Sequence, residues 1–100
     1  MKPHKVIIKT SKNPEKKYTA FFYDKDNKYI KKIHFGQKGY SDFTKHKSES
    51  RKQRYINRHK GMNEDWENPM TAGALSRWIL WEKPNLKDSI NFYKNKFNLI

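Results

Sequence analysis

The sequence predicts a small α+β protein, a three-stranded antiparallel sheet followed by about three helices in a single domain over residues 1–100. Three observations carry that prediction. Runs rich in β-branched and aromatic residues recur up to residue 35, a glycine-bearing turn "GQKGYSD" then breaks the pattern, and the C-terminal stretch "NLKDSINFYKNKFNLI" has the clearest helical period in the chain.

The strands come first, over 5–35. "KVIIKT" (5–10) is β-branched and bounded by Pro3 and by Ser11, Asn13 and Pro14. "KYTAFFYD" (17–24) and "KYIKKIHF" (28–35) are strand-like, with "DKDN" suited to the hairpin loop between them. In the third run Tyr29, Lys31, Ile33 and Phe35 share one face, and Ile30, Lys32 and His34 share the other. Such alternation puts one face on a core and leaves one in solvent. Lysines on the open face and along the edges also oppose edge-to-edge association, so part of the lysine excess has a structural use.

Gly36 and Gly39 permit positive φ at the break, and Ser41 or Asp42 then caps a helix beginning near Phe43. A single basic helix is expected over 43–60, stopping at Gly61. Its apolar content is essentially Phe43, Tyr55 and Ile56, so most of its circumference faces water or a partner. Arg51, Arg54 and Arg58 fall at i, i+3 and i+7, which makes a basic ridge, with Lys47 one turn before Arg51. "MNEDWENPMT" (62–71) reads as a loop anchored by Trp66. The helical C-terminal part, 72–100, comprises a short buried helix over 72–81 with Thr71 as N-cap, and a last helix whose Leu86, Ile90, Tyr93 and Phe97 face the sheet.

Composition bounds the function. The chain carries 23 Lys or Arg against 10 Asp or Glu, a formal net charge of +13. Of these, 18 basic and 5 acidic residues lie within 1–60, and the rest balance at 5 and 5. A charge of that size attracts polyanions, chiefly nucleic acid or an anionic membrane surface. Fifteen per cent of residues are aromatic, more than a disordered basic tail contains, so the chain should fold. One hundred residues are too few to enclose a deep cofactor site, which argues for a surface function. Cysteine is absent, which fits a reducing compartment, and no apolar run has the length of a membrane span or signal peptide.

Several constellations are weighed against plainer readings. "FGQKGYSD" has neither Walker nor GxGxxG spacing, and its glycines serve a strand-to-helix turn. His4, His34, His46 and His59 are scattered without cysteine or HExxH context, so no metal or cofactor is expected. Glu64, Asp65 and Glu67 lack partners for a nuclease site, and Ser48, Ser50 and Ser76 lack a triad, so an enzyme is not expected. Trp66, Trp78 and Trp81 read as core, with Trp81 the candidate exception. The basic helix differs, because its charge is nearly uncompensated, its arginines are clustered, and Tyr40, Phe43 and Tyr55 stand beside the cations. Arginine suits bidentate phosphate contacts, and rings suit base stacking or packing.

The run "HFGQKGYSDFTKHK", followed by "RKQRYINRHK" and "DWENPMTAGALSRWILWEKPNL", resembles a family of small basic proteins of giant and algal DNA viruses. The resemblance covers residues 34–86, and this chain has Phe43 where members often have Tyr. It implies a viral origin, action in the cytoplasmic factory or virion core, and a need to neutralise and compact a large genome.

The expectation is therefore a sequence-nonspecific DNA-binding protein that coats, bridges or condenses a viral genome, with double-stranded DNA as partner. Lys38, Tyr40, Lys45, Lys47, Arg51, Lys52, Arg54, Tyr55, Arg58 and Lys60 form the expected nucleic-acid-binding surface, driven by counterion release. Lys5, Lys9, Lys31 and Lys32 form a possible second cationic face for bridging, which a homo-oligomer would also provide. The alternatives are an RNA-binding or ribosome-associated factor, and a module docking acidic proteins or virion components.

Overall fold

The computed structural model describes residues 2–62 and 64–100. Three antiparallel strands, β1 (Lys5–Thr10), β2 (Lys16–Tyr23) and β3 (Tyr29–Gln37), form one sheet in the order β1-β2-β3. The β2–β3 loop closes as the sequence suggests: the Asp24 carboxylate accepts from the Asp26 and Lys28 amides, and Asn27 takes a left-handed φ of 62°.

Register decides which residues meet the core. Val6 lies opposite Phe22, Ile8 opposite Ala20, and Tyr18 opposite Phe35, so their side chains share one face. Val6, Ala20, Phe22 and Phe35 are buried there with Leu75, Ile79, Leu80 and Tyr93 from the helices. The outer face holds the rows Ile7–Phe21–Lys32 and Lys9–Thr19–His34. There Thr19 Oγ1 lies 2.7 Å from His34 Nδ1 and donates to Ser11 Oγ at 3.0 Å, which satisfies the buried threonine.

The basic segment is two helices, not one. α1 (Phe43–His46) ends at Lys47, whose φ of 55° is left-handed, and α2 (Glu49–Lys60) restarts from Ser48, whose hydroxyl accepts from the Arg51 amide. Serine competes for backbone donors and so favours a helix start over an interior. The break has a packing reason. With it Phe43 of α1 and Tyr55 of α2 are both buried, whereas on one straight helix they would stand about 120° apart.

After the 62–71 loop, in which Asn63 lies outside the described residues, Thr71 caps α3 (Ala72–Leu75) through the Ala74 amide. α3 runs directly into a π-helical turn, Ser76–Leu80. Ala74, Leu75, Ile79 and Leu80 are buried against the sheet, and Trp66 is tied to this element by the Trp78 indole, which donates to its carbonyl at 2.7 Å. The last helix, α4 (Leu86–Lys96), is capped by Asn85 and packs on the π turn with Tyr93 fully buried at its centre. The expected helix to residue 100 stops short. Asn98 turns left-handed at φ 56°, Leu99 enters the core, and Ile100 exchanges hydrogen bonds with the His4 carbonyl and the Val6 amide on the free edge of β1. No helix among the described residues is long and apolar enough to cross a membrane.

Candidate nucleic-acid interface

An α-helix turns 100° per residue, so Arg51, Arg58 and Arg54 occupy an arc of about 60° on α2, and Tyr55 follows some 40° beyond it. The arginine stripe therefore borders the side of the helix that packs. Its position follows from that. Arg51, Arg54 and Arg58 do not stand on an outward crest; they wall a cleft of about 810 Å3, opposite Lys16, Lys17 and Tyr40, with Ala72, Gly73 and Ser76 of the α3 region along it. All three arginines are exposed, and among the described residues none pairs with a carboxylate.

The two acids of this cleft are engaged elsewhere. Asp42 is buried at 1% exposure, caps α1 through the Thr44 amide and hydroxyl, and accepts from Lys17 Nζ at 2.6 Å. Glu64 accepts from the Trp66 indole at 2.9 Å and meets His59 Nδ1 at 3.2 Å. Lys17 is thereby a structural cation. Lys16 is the additional cationic lining residue, and sequence reasoning passed over both because strand lysines carry no signal of what lies beside the strand end.

A second, smaller recess of about 430 Å3 brings together Lys38, Tyr40 and Lys45 beside Thr10 and Tyr18. Lys17, Tyr40 and Ser41 line both cavities, so the recess and the cleft adjoin. Lys38, Tyr40 and Lys45 therefore stand next to the arginine cleft. Lys60 is exposed at the last residue of α2 and lines neither cavity.

Three expected contact residues are otherwise occupied. Tyr55 is buried at 6% exposure and forms a column of rings, stacked on Trp81 at 4.3 Å and on His59 at 4.2 Å. Burial, with the Glu64 charge second, raises its phenol far above the usual range. It supports α2 from below and offers no free face to a base. Lys47, cut from the ridge by the helix break, donates to the carbonyls of Thr44 and Pro84. Lys52 donates to the Glu82 carbonyl at 2.8 Å and lies 5.0 Å from the centre of the Phe43 ring. Phe43 is itself buried, which leaves Tyr40, 66% exposed, as the open ring among Tyr40, Phe43 and Tyr55.

Trp81, the tryptophan singled out as a stacking candidate, is paired with Tyr55 and tilted against His46 at 5.2 Å. His46 accepts from the Ser48 amide, and its surroundings, burial first and then Arg51, push its pKa below the ordinary histidine range. It joins the two helices instead of extending the ridge.

The second cationic face divides. Lys9 and Lys32 are exposed on the outer face of the sheet, and Lys5 shares that face, half-buried, bonded to Asn27 and 5.4 Å from the Tyr23 ring centre. Lys31 lies opposite Phe22, a core residue, so it projects from the other side of the sheet and leaves the group. Among the described residues no cluster of three or more His, Cys, Asp or Glu is placed to hold a metal ion.

Fold and site together define a small α+β protein with a basic, concave face built between the sheet end and two helices. The model of a family of unknown function, DUF5754, matches residues 6–59, and the chain belongs to that family. The matched stretch runs from β1 through the last arginine of the ridge, so it takes in the strands and ends before α3. No curated protein and no solved structure matches the chain.

Proposed function

We propose that the protein binds nucleic acid without sequence preference, by contacts to the phosphate backbone of DNA. The observation that carries this reading is the uncompensated guanidinium row Arg51, Arg54 and Arg58 on the cleft wall. At a helical rise of 1.5 Å the row is about 10 Å long. That length matches about three phosphates along one strand of a duplex. Arg51, Arg54 and Arg58 project from one packed helix, so their backbone positions and spacing are fixed before binding. Lys38 and Lys45 widen the field next to the row.

The setting we propose, a viral genome coated or compacted in the virion core or cytoplasmic factory, rests on the resemblance of residues 34–86. Compaction needs a second contact, for which Lys5, Lys9 and Lys32 are the candidates.

The test is a titration of random-sequence duplex DNA with the wild-type chain and with the triple variant Arg51→Glu, Arg54→Glu, Arg58→Glu across several salt concentrations. Wild type should bind with a steep salt slope; the variant should keep its circular dichroism spectrum and lose binding near physiological salt, any residual binding at low salt showing a slope smaller by about 2 to 3. Normal affinity in the folded variant removes α2 from the interface. Tighter wild-type binding to structured RNA at equal salt moves the function to RNA handling.

A further inference from the structure

The cleft and the recess form one groove, and Tyr40 stands where they meet. Its ring is 66% exposed, and among the described residues its side chain has no hydrogen bond, aromatic partner or cation over it. Elsewhere near the cleft the rings are spent on packing: Tyr55 and Trp81 on each other, Phe43 under Lys52. Tyr40 alone among them is held out toward solvent, by a turn whose Gly39 has a φ of 94°. A planar ring in the middle of a track of cations is what an unstacked base requires. Stacking on an aromatic supplies sequence-tolerant affinity, and the cations follow the backbone.

A duplex cannot use this arrangement, since its bases are already paired and stacked. A single strand can. The cleft's volume is within the range that seats a compact organic group, and small residues along it, Ala72, Gly73 and Ser76, leave the space open.

We infer that the groove receives a single-stranded stretch of nucleic acid, its phosphates along Arg51, Arg54 and Arg58 and one base against Tyr40. This rests on the nucleic-acid reading above and narrows it to the strand form that enters the groove, while duplex is met at the exposed rim by the same arginines.

The experiment measures fluorescence anisotropy of oligothymidylate, oligouridylate and a random duplex, each about 15 residues long, against wild type, Tyr40→Ala and Tyr40→Phe. Tyr40→Ala should weaken binding to the single strands about tenfold, the loss of one stacked base, and weaken duplex binding by a much smaller factor; Tyr40→Phe should bind like wild type. Equal loss on thymidylate and uridylate identifies stacking that does not depend on the sugar, and loss on one alone assigns the groove to DNA or to RNA. An unchanged single-strand affinity in Tyr40→Ala, or an equal loss on duplex, overturns the inference. Those results leave the backbone-binding proposal standing if wild type still binds duplex with a steep salt slope, whereas wild type binding none of the three probes ends both.

Discussion

Lys17 and Asp42 show how one pair of residues fixes the geometry of the whole groove. Lys17 on β2 reaches Asp42 at the start of α1, 2.6 Å apart, with side-chain exposures of 10% and 2%. The carboxylate also holds the Thr44 amide, so strand, turn and helix are joined at one point. Removing the cation leaves a buried carboxylate with only part of its partners, the situation in which breaking a buried pair is costly. Lys17→Met should lower unfolding free energy in denaturant titration by about 3 kcal/mol, whereas Lys16→Met, at a cleft residue without such a partner, should lower it by less than about 1 kcal/mol. Equal losses would mean that the pair does not organise the turn. The cap at Asp42 was legible in the sequence, since aspartate before a helix accepts its first amides. The partner was not, because nothing in a strand lysine tells which of many carboxylates lies across the fold. Tyr55 is the opposite case: its place among cations read as a contact surface, but an arc of 40° is enough to turn it from solvent to core.

At the scale of elements, the unexpected feature is the break at Lys47 and Ser48. Pattern reading runs one basic helix through 43–60 because Lys47 stands one helical turn before Arg51 and so continues the cationic spacing across the break. Two local signals argue otherwise: Ser48 is a residue type favoured at N-caps, and Glu49 falls in the first turn of α2. The strands, their register face and the helical C-terminus were legible, since period-2 and period-3.6 patterns depend on burial alone. The end of α4 was not, because Asn98 is the sole local mark of the turn that sends Leu99 inward. The break matters for function, since α2 leaves Ser48 at the angle that lays its arginines along the cleft. Ser48→Ala should cost about 1 kcal/mol in thermal or denaturant unfolding, the usual value of an N-cap. Ser48→Asp, which keeps an acceptor and adds charge at the helix start, should restore that stability. If alanine is neutral, the two helices are held by Phe43, Tyr55 and the His46–Trp81 contact without help from the cap.

Over the whole molecule, four carboxylates, two of them in the cleft, pair with side chains other than the ridge arginines. Glu82 is spent on Arg77, whose guanidinium also covers the Trp78 ring at 4.2 Å, and Glu67 is spent on Lys96. Glu64 and Asp42 hold His59 and Lys17. The arginines of the cleft and the exposed lysines of the recess and of the sheet's outer face thus keep their charge unpaired among the described residues. The concave and the flat surfaces differ in kind. The cleft is arginine-rich, and the outer face is a grid whose exposed cations, Lys9 and Lys32, flank Ile7, Phe21 and the Ser11–Thr19–His34 cluster. Flat lysine arrays suit diffuse contact with a second polyanion, and they lie on the side of the sheet turned from α3 and the π turn. If the protein compacts DNA, the two sides divide the work. Lys5→Glu, Lys9→Glu, Lys32→Glu should leave affinity for a short duplex close to wild type but abolish condensation of long DNA, read by light scattering. The arginine triple variant changes the net charge by the same amount and should abolish both, so the comparison is free of bulk charge. Condensation that survives reversal of the sheet lysines would instead require two copies of the chain to join, and sedimentation of the DNA-bound protein would then show the dimer.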